Sequence, residues 1–436
     1  MGKIKGIYIP HHKNTAKFVP ETIVTPPEVR LPMSMHSGTP ATPIVAVGDY
    51  VKIGQLIGEA TGRVSSPIHA SVSGKIKSID EFDPVTGEKA VSIVIETNPD
   101  EEQVICENIT PPTVTNTAEF LNAVQNSGVV GLGGAGYPTA PKLTFKEDMV
   151  VDYILVNGAE CEPYITSDTR IMIDDAESVF EGSLLMKKYL NTKNVVICIE
   201  DNKPEAIAKL QALTSGSGVD GLSVHVLPSY YPQGERKVLV YNVTGRIVPE
   251  GARLTDVGCT VINCTTVAVF AKYIKTGMPL THRIVTVDGS AVKSARNVFA
   301  PIGTPIKLLF DHCGGLTNDA DKIILGGPMM GKAVPSLDIP ITKVINAVLA
   351  LNKKDSKPPV ETACIKCGRC IEVCPMDLMP SHIEDAFEQK NTTMFNVLKV
   401  NMCAECGCCA YICPAKRPLA QVMSLSKNMQ WEANRK

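Results

Sequence analysis

The sequence predicts a multidomain α/β protein that ends in a small, cysteine-rich helical domain. Three observations carry this prediction: a length of 436 residues, an alternation of strand-like and helix-like patterns between about 110 and 280, and nine cysteines crowded between Cys364 and Cys413. A chain of this length is too long for one hydrophobic core and suggests roughly three domains. The formal net charge of −2 argues against a nucleic-acid binder, which would carry a basic excess.

The start of the chain and its cysteine usage predict a cytosolic protein. The first residues, MGKIKGIYIPHHKN, have neither an apolar signal core nor a cleavage site. No stretch reaches the roughly 18 apolar residues of a transmembrane helix, so any membrane attachment is expected to be peripheral. Cysteines in close repeats then indicate metal ligands in a reducing compartment. Six scattered cysteines are expected to be buried thiols that pack as small hydrophobic side chains: Cys106, Cys161, Cys198, Cys259, Cys264 and Cys313.

Residues 1–105 are rich in Val, Ile, Gly and Pro, with strand-length runs bounded by turn signals. Two stretches, PIVAVGDYVKIGQLIGEA and VSSPIHASVSGKIKSI, are typical of short β-hairpin-like units. Their spacing resembles the barrel-sandwich module of lipoyl- and biotinyl-type domains. That family carries its modified lysine between the two halves, where this chain has Gly62, Arg63, Val64, Ser65 and Ser66. We therefore expect a structural module and no covalently attached carrier group.

Strand-like and helix-like patterns alternate through residues 106–281, which predicts an α/β layered domain. We expect helices at 118–125, 175–189 and 204–213, and strands at 150–156, 195–199 and 224–227. Residues 282–340 return to strands, with RIVTVDG and KIILGGPMMG separated by a hydrophilic, helix-like stretch and by TPIKLLFDHCGG. The charged, proline-bearing segment 353–359 is interpreted as a linker at the start of a last domain, 353–436.

The cysteine-rich end repeats one spacing twice, which indicates two iron–sulfur clusters. Each run has the form Cys-x-x-Cys-x-x-Cys-x-x-x-Cys-Pro. Three thiolates at this spacing can wrap three corners of a cubane, and the fourth, which we expect to enter a helix, points to the other cluster. The predicted ligand sets of the two [4Fe–4S] clusters are Cys364, Cys367, Cys370 with Cys413, and Cys403, Cys406, Cys409 with Cys374.

Structural zinc is the alternative explanation of these cysteines, because zinc sites use pairs of Cys-x-x-Cys. Zinc takes four ligands and leaves the third cysteine and the Cys-Pro ending of each run unexplained. Cys408 adjoins a ligand out of register and is interpreted as a bystander. Residues 381–390 and 396–400 are expected to be helical, which suits an α-helical ferredoxin module.

A glycine-rich stretch, GLGGAGYP at 131–138, contains G-x-G-x-x-G in surroundings that differ from a Rossmann turn. That turn follows a strand and opens a helix, whereas a helix-like segment precedes this stretch, and Pro138 and Pro141 obstruct a helix behind it. A P-loop is excluded because no lysine follows Gly136 directly. The stretch is either a plain glycine turn or a loop whose N–H groups surround a phosphate, with Lys142 as counter-charge.

Three further stretches carry candidate ligand groups. The predicted strand 150–156 ends in NGAECEPY, and YYPQGER at 230–236 and NCTT at 263–266 follow along the chain. The carboxyl end of a strand is where α/β folds bind ligands. Taken singly, Glu160, Glu162 and Glu235 are also consistent with solvated surface charges.

Together these stretches resemble the flavin-carrying, NADH-oxidising subunit of respiratory complex I, which has G-x-G-G-A-G-F-P, N-A-D-E-S-E-P, Y-x-x-G-E-E and N-x-x-T segments around FMN. The resemblance implies that the phosphate side of FMN is held by Gly131, Gly133, Gly134 and Lys142. It implies a flavin lined by Asn157, Glu160, Tyr231, Gly234, Glu235, Asn263 and Thr266. It also implies that NAD(H) meets Tyr137, Phe145 and Glu162, the two aromatic rings by stacking on adenine. The chain departs from that family at Leu132, Ala159 and Arg236, where arginine, aspartate and a second glutamate are usual.

The order of modules resembles the family of C subunits of the Rnf ion-translocating electron transport complexes. The corresponding parts are a barrel-sandwich module at 1–105, an FMN/NADH-binding α/β domain at 106–281, a β-grasp-like SLBB domain at 282–340 and a two-cluster ferredoxin-type domain at 353–436. The resemblance implies an NAD-linked oxidoreductase that passes electrons between NAD(H), FMN and two [4Fe–4S] clusters, in a complex that couples ferredoxin:NAD⁺ oxidoreduction to ion translocation. It implies other membrane-complex subunits as partners, ferredoxin through one of them, no nucleic acid, and a peripheral position on the cytoplasmic face of the membrane.

Two other functions stay open at the level of sequence. A soluble NADH-dependent cobalamin reductase belongs to a family with the same flavin domain and two-cluster layout. A non-catalytic, ferredoxin-like relay would keep the nucleotide fold without a bound flavin.

Overall fold

The N-terminal part of the computed structural model is built from short strands; the structure describes residues 5–83, 89–98, 100–146 and 149–434. The strands are β1 (Glu21–Thr22), β2 (Glu28–Pro32), β3 (Thr42–Pro43), β4 (Tyr50–Val51), β5 (Leu56–Glu59), β6 (Ile68–His69), β7 (Gly74–Phe82) and β8 (Ala90–Glu96). Two small sheets, in the orders β2-β8-β7-β4 and β3-β5-β6, share one buried core. The predicted barrel-sandwich module is confirmed.

The two predicted hairpin-like units pair with each other, since β4 pairs with β7 and β5 pairs with β6. Within the first unit, β3 also pairs with β5. Strands of two residues are too short for independent hairpins, so the longer strands of the other half supply their hydrogen bonds. The segment between the two units is bound to the start of the glycine-rich stretch, because Ser66 Oγ donates to the carbonyl oxygen of Gly128 at 3.1 Å.

An α/β domain follows, with a four-stranded parallel sheet in the order β11-β10-β9-β12. Its elements are α1 (Thr117–Asn126), α2 (Thr139–Leu143), β9 (Tyr153–Gly158), α3 (Ser167–Asp174), α4 (Ala176–Tyr189), β10 (Asn194–Glu200), α5 (Pro204–Gly216), β11 (Leu222–Leu227), α6 (Arg236–Thr244), β12 (Cys259–Asn263) and α7 (Cys264–Thr276). Helices α1, α4, α5 and α7 pack on one face of the sheet, and α6 packs on the other. The predicted α/β layering is confirmed.

In this domain one predicted strand is confirmed with a later start, and one local prediction was wrong. The strand expected at 150–156 begins at Tyr153, because Val150 is 65% exposed and lies outside the sheet. A helix does form behind the glycine-rich stretch, with Pro138 as its N-terminal flanking residue and Pro141 as its third residue. The first-turn N–H groups of a helix have no intrahelical acceptor, so a proline there removes nothing that the helix needs.

The next part is a mixed six-stranded sheet in the order β1-β14-β13-β17-β15-β16. Its elements are β13 (His282–Asp288), β14 (Arg296–Pro301), α8 (Ile306–His312), β15 (Ala320–Leu325), β16 (Lys332–Val334) and β17 (Ala347–Asn352). The hydrophilic stretch expected to be helix-like contains β14 instead. Val298 and Ala300 are buried there in the core under α8, which a strand achieves with alternate side chains. Strands β1 and β17 lie outside 282–340, so the sheet draws on more of the chain than that range.

The cysteine-rich end is helical. Its helices are α9 (Arg369–Glu372), α10 (Pro380–Glu388), α11 (Thr392–Val397), α12 (Cys408–Ile412) and α13 (Leu419–Ala433). The helix expected at 381–390 is confirmed, and the segment 353–359 contains neither helix nor strand. The prediction of a helix at 396–400 was wrong. The helix begins earlier, at Thr392, because the Asn391 side chain caps it by accepting from the Met394 N–H, and it ends at Val397. The fourth cysteine of each run follows a short helix instead of entering one.

One hydrophobic core runs through the barrel-sandwich module and one face of the α/β sheet, so these two parts pack as a single body. Within the described ranges, none of the helices has the length and apolar character that crossing a membrane requires. The carboxyl ends of β9 and β12 meet at one edge of the sheet, since Asn157 and Asn263 are register partners. That edge carries most of the candidate ligand groups.

Candidate functional site

The fold brings the eight predicted cluster ligands into two groups. Four cysteines line one hollow and form what we call the inner cage: Cys374, Cys403, Cys406 and Cys409. Four more line a second hollow and form the outer cage: Cys364, Cys367, Cys370 and Cys413. Each cage takes three cysteines from one run and the fourth from the other run. Ligation of one [4Fe–4S] cluster by each set stays a prediction.

The cages suit cubane clusters better than zinc. Among the described residues, no three Cys, His, Asp or Glu side chains come close enough together to hold one metal ion. A [4Fe–4S] cluster instead needs four thiolates around a volume, and each cage offers that arrangement. Cys408 borders neither hollow; its thiol is buried and lies 3.9 Å from the Tyr231 carbonyl oxygen.

The two runs wrap their hollows with the same backbone conformation. Lys366 and Glu405, each in the first Cys-x-x-Cys, have φ of 54° and 56°, and Gly368 and Gly407 both have φ of 77°. This left-handed backbone turns N–H groups toward sulfur: the Glu405 N–H donates to Cys403 Sγ at 3.3 Å. Two equivalent cluster loops are therefore built into the chain.

The glycine-rich stretch forms a closed loop with a free inner face. The Gly131 N–H donates to the Tyr137 carbonyl at 2.9 Å, and the Gly136 N–H donates to the Gly131 carbonyl at 3.1 Å. A side chain on Gly134, whose φ is 108°, would meet nothing within 4 Å. Within the described part of the chain, the N–H groups of Gly133, Gly134 and Ala135 find no acceptor. Successive free N–H groups of this kind form a nest for an anion.

Thr266 and Asn263 hold this loop over the sheet edge. Thr266 Oγ1 accepts from the Leu132 N–H at 3.0 Å and donates to the Val130 carbonyl at 3.1 Å. Asn263 caps α7 through its side-chain oxygen, and a side chain on Gly133 would lie 3.3 Å from Asn263 Nδ2. The nest thus sits beside a helix N-terminus, which favours phosphate.

Lys142 and Arg236 supply positive charge near the loop. Burial, with the nearby Arg236 as second cause, lowers the pKa of Lys142 to about 8. Neither side chain has an ion-pair partner among the described residues. A bound phosphate would pair with both cations, so the residues present fit the phosphate end of FMN.

The carboxylate of Glu160 forms its hydrogen bonds with other residues of the chain. Its carboxylate accepts from the Asp168 N–H at 2.6 Å and the Thr169 N–H at 3.1 Å, at the N-terminus of α3. Its backbone is fixed by Lys13, whose Nζ donates to the carbonyl oxygens of Glu160, Glu162 and Ile165 at 2.6–2.8 Å. The predicted contact of Glu160 with flavin stays a prediction; the geometry shows a residue that shapes the strand end.

Glu162 retains an unused carboxylate oxygen. Its Oε2 accepts from the Met329 N–H at 3.1 Å, while Oε1 is buried without a partner in the described structure. Burial raises the pKa of this carboxyl to about 7. Gly327 passes so close that an added side chain would clash with Glu162, so the loop 326–331 lies directly over it. An orphaned oxygen at this place fits a ligand hydroxyl or amide donor.

The stretch 230–236 joins the sheet edge to the inner cage. Asn157 Nδ2 donates to the Gly234 carbonyl at 3.0 Å, and the Gly234 N–H donates to Cys161 Sγ at 3.4 Å. Glu235 caps α6 by accepting from two backbone N–H groups. Tyr231 is buried, and its hydroxyl donates to the Cys406 carbonyl at 2.8 Å.

The two predicted aromatic contacts differ in placement. Tyr137 is 39% exposed beside the glycine-rich loop, whereas Phe145 packs against the main core. Tyr137 is thus the more accessible of the two rings, and the stacking of either ring on adenine stays a prediction.

Sequence reasoning missed several buried polar residues that hold the site. Asp168 accepts from Asn263 Nδ2 at 2.7 Å, Lys203 donates to the Ala159 carbonyl at 2.6 Å, and Lys343 donates to the Gly128 carbonyl at 2.6 Å. Their partners lie far away along the chain, and no local pattern marks them. Lys13 carried a weak signal, since it stands in the unusual run HHKN.

Four family profiles match consecutive parts of the chain. They are the RnfC barrel sandwich hybrid domain at 3–100, the Nuo51 FMN-binding domain at 124–272, the SLBB domain at 284–333 and the 4Fe-4S dicluster domain at 363–416. The predicted order of modules is confirmed, and the finer bounds proposed for each module stay a prediction.

The chain is similar to characterised relatives over most of its length. It is 41% identical to the C subunit of the Na(+)-translocating ferredoxin:NAD(+) oxidoreductase complex of Acetobacterium woodii, covering 88% of this chain and 87% of the relative. It is 41% identical to the C subunit of the proton-translocating ferredoxin:NAD(+) oxidoreductase complex of Clostridium ljungdahlii, covering 85% and 80%. It is 36% identical to the C subunit of the ion-translocating oxidoreductase complex of Rhodobacter capsulatus, covering 86% and 73%.

A solved structure shares the fold. A crystal structure of NAD+-reducing [NiFe]-hydrogenase in the H2-reduced state superposes with a TM-score of 0.53 at 17% identity, covering 73% of this chain and 63% of the other. This likeness concerns the fold alone.

Proposed function

The chain belongs to the family of C subunits of ion-translocating oxidoreductase complexes, and on that premise we propose that it carries electrons between NAD(H) and the other subunits of a ferredoxin:NAD⁺ oxidoreductase complex. Its resident groups are FMN and two [4Fe–4S] clusters, in line with the FMN-binding and dicluster profiles. We place it as a peripheral subunit on the cytoplasmic face of the membrane. Ion translocation and contact with ferredoxin are assigned to partner subunits.

The observation that carries this proposal is the Tyr231 segment. Its backbone lies at the edge that bears the free glycine-rich loop, and its hydroxyl donates to the carbonyl of a cage residue, Cys406. A nucleotide-binding edge and a cluster cage thus meet across one buried side chain. A scaffold without electron transfer would have no need of this junction.

The chain's own residues position the nucleotides. When bound, FMN accepts a hydride from NADH and releases the two electrons singly. The nest at Gly133 and Gly134, with Lys142 and Arg236, holds its phosphate end. Gly234 lets a ring approach the strand end closely, and Glu162 offers its free oxygen to the nicotinamide nucleotide.

The cages act in a fixed order. The inner cage contacts Tyr231 and the loop 326–331, since a side chain on Gly407 would lie 3.3 Å from the Met329 carbonyl oxygen. The outer cage has no contact of this kind with the flavin edge among the described residues. A cluster held in the inner cage would therefore be the first to exchange electrons with a flavin held at this edge.

Anaerobic reconstitution of the full chain tests the function. We expect about eight irons per chain, a flavin band that NADH bleaches, and cluster signals by electron paramagnetic resonance. Bound zinc with iron near zero, or clusters that form while NADH leaves flavin and clusters unchanged, would refute it.

Two cysteine variants test the order. In Cys364→Ser, NADH should still reduce the inner cluster; in Cys403→Ser, NADH should no longer reduce the outer cluster although dithionite does. If NADH reduced the outer cluster of Cys403→Ser at the wild-type rate, the proposed order of the two clusters would be contradicted. The proposed oxidation of NADH at the flavin would remain supported.

A further inference from the structure

The loop 326–331 connects β15 to β16 and is closed by its own backbone. The Gly331 N–H donates to the Gly327 carbonyl at 2.8 Å, and the Gly326 N–H donates to the Ala347 carbonyl of β17 at 2.8 Å. A side chain on Gly331 would lie 2.3 Å from the Gly327 carbonyl oxygen. The loop is thus compact, anchored to the six-stranded sheet, and has little room to change its shape.

Gly327 lies along the whole side chain of Glu162. A Cβ atom on Gly327 would lie 2.3 Å from Oε2, 2.6 Å from Cδ and 2.9 Å from Cβ of Glu162. The backbone of Gly327 is not left-handed, in contrast to that of Gly326, whose φ is 86°. Glycine fits at position 327 because Glu162 approaches so closely, and the backbone conformation alone would allow other residues.

The N–H of Met329 fixes the direction of the Glu162 carboxylate. It donates to Oε2 at 3.1 Å, while Lys13 Nζ donates to the Glu162 carbonyl at 2.8 Å, so both ends of the residue are held. The other carboxylate oxygen, Oε1, is buried without a partner among the described residues. Buried polar atoms of proteins are nearly always hydrogen-bonded. A free oxygen on a carboxylate that cannot turn therefore marks the position of a ligand donor.

The inner cage lies behind the loop. A side chain on Gly407 would lie 3.3 Å from the Met329 carbonyl oxygen, and the Met329 side chain packs in one hydrophobic cluster with Tyr231 and Cys406. The loop is therefore placed between Glu162 and the cluster loop, and it cannot move away from Glu162 without opening this packing. A methyl group added to the loop on the side of Glu162 would displace the carboxylate instead.

We propose that the loop 326–331 is a positioning element of the nucleotide site. Gly327 and the Met329 N–H hold the Glu162 carboxylate so that Oε1 meets an amide or hydroxyl donor of NADH. The inference rests on the proposed function and adds a task for the SLBB domain, which acts on the nucleotide through Glu162. The alternative is that the loop only packs two domains together, in which case Gly327 matters for stability and has no influence on nucleotide affinity.

The test is a binding titration of the full, reconstituted, FMN-loaded chain. The probe is tetrahydronicotinamide adenine dinucleotide, which resembles NADH and cannot donate a hydride, and anaerobic calorimetry gives its dissociation constant. We expect Gly327→Ala to raise the constant about tenfold, because the displaced carboxylate loses a hydrogen bond to the ligand. Glu162→Asp should raise it by a similar factor, since the shorter side chain no longer reaches the ligand donor.

The double variant separates positioning from packing. In Gly327→Ala/Glu162→Asp the shorter side chain leaves room for the added methyl group. We therefore expect a total loss of about tenfold, whereas two independent losses would multiply to about a hundredfold. A loop that only packs the domains gives no such coupling in the affinity.

Gly58→Ala is the matched control. A side chain on Gly58 would lie 2.9 Å from Met33 Sδ, so the same methyl group enters a crowded place in the N-terminal part. Gly58→Ala should lower the thermal midpoint, as Gly327→Ala does, and leave the dissociation constant of the probe at the wild-type value.

Three results would overturn the positioning role: wild-type affinity in Gly327→Ala, losses that multiply in the double variant, or wild-type affinity in Glu162→Asp, through which the loop must act. A failure of the proposed function is seen in wild type itself, which would then hold FMN without binding the probe, and the positioning role would fall with it.

Discussion

Lys343 is a buried cation without an acidic partner among the described residues, and replacing it should remove a pH dependence of stability. The residue is 1% exposed. Its Nζ donates to the carbonyl oxygens of Pro67 and Gly128, both at 2.6 Å, and to Ser66 Oγ at 3.3 Å. Burial lowers its pKa from the ordinary value of 10.5 to about 7. One side chain thus ties the barrel-sandwich module to the start of the glycine-rich loop.

The sign of the effect follows from proton binding. Between about pH 7 and pH 10.5 the unfolded chain holds a proton on this lysine that the folded chain has lost. The free energy of unfolding therefore rises with pH across this window, by about 5 kcal/mol at most at roughly 1.4 kcal/mol per pKa unit. Below pH 7 the full cost of the buried charge is present.

Lys343→Met removes both the charge and the hydrogen bonds. The carbonyl groups of Pro67 and Gly128 lose a donor, at about 1–3 kcal/mol each when they remain buried. We expect the variant to match wild type near pH 7, where the lost charge offsets the lost bonds, and to be several kcal/mol less stable near pH 10. Thermal midpoints of the anaerobic, flavin-loaded chain measure this, with the exposed Lys75→Met as control. If the thermal midpoints of wild type and Lys343→Met changed with pH in the same way, the reasoning would be refuted.

Two further predictions concern the nucleotide edge. Thr266→Val should weaken FMN binding several-fold, measured by quenching of FMN fluorescence, and lower the free energy of unfolding by about 1–3 kcal/mol, because the Leu132 N–H and the Val130 carbonyl lose their partner. Thr266→Ser keeps the hydroxyl and should restore both the affinity and the stability. An unchanged affinity for FMN in Thr266→Val would contradict the role assigned to Thr266. Glu162→Gln should gain stability relative to wild type as pH rises from about 4.5 to 7, by about 3 kcal/mol at most. The reason is that the folded carboxyl, with its raised pKa, keeps its proton through this window while the unfolded carboxyl loses it, so the free energy of unfolding of wild type falls. A pH-independent difference between the thermal midpoints of the two proteins would contradict a buried, titrating Glu162.

The cages were predictable from sequence because their ligands are set by local spacing. Three cysteines within seven residues reach one cubane whatever the rest of the chain does, and the fourth has only the other run to join. The glycine-rich loop was predictable for a similar reason, since a φ of 108° at Gly134 needs glycine. Patterns of this kind report backbone conformation directly.

The polar clamps of the site were not predictable, because their partners are distant in sequence. Lys13 reaches carbonyls about 150 residues away, and Lys343 reaches Gly128 across 215 residues. In the sequence both are ordinary lysines, and only the fold shows that they are buried. The stretch around β14 was predicted to be helix-like for a related reason. Its composition is hydrophilic, and it forms a strand because it pairs with β13 and buries one face under α8.

The N-terminal segment shows why such long-range clamps matter for electron transfer. Lys5 pairs with Asp377 beside the inner cage, Ile7 exchanges both backbone hydrogen bonds with Tyr231, and Lys13 holds the strand end at Glu160. Nine residues therefore span from the cluster domain to the nucleotide edge and are fastened at both ends. Electron transfer slows exponentially with distance, so a loose hinge between these two places would lower the rate at every opening. A short segment that is held at both ends keeps the nucleotide edge and the inner cage at one separation.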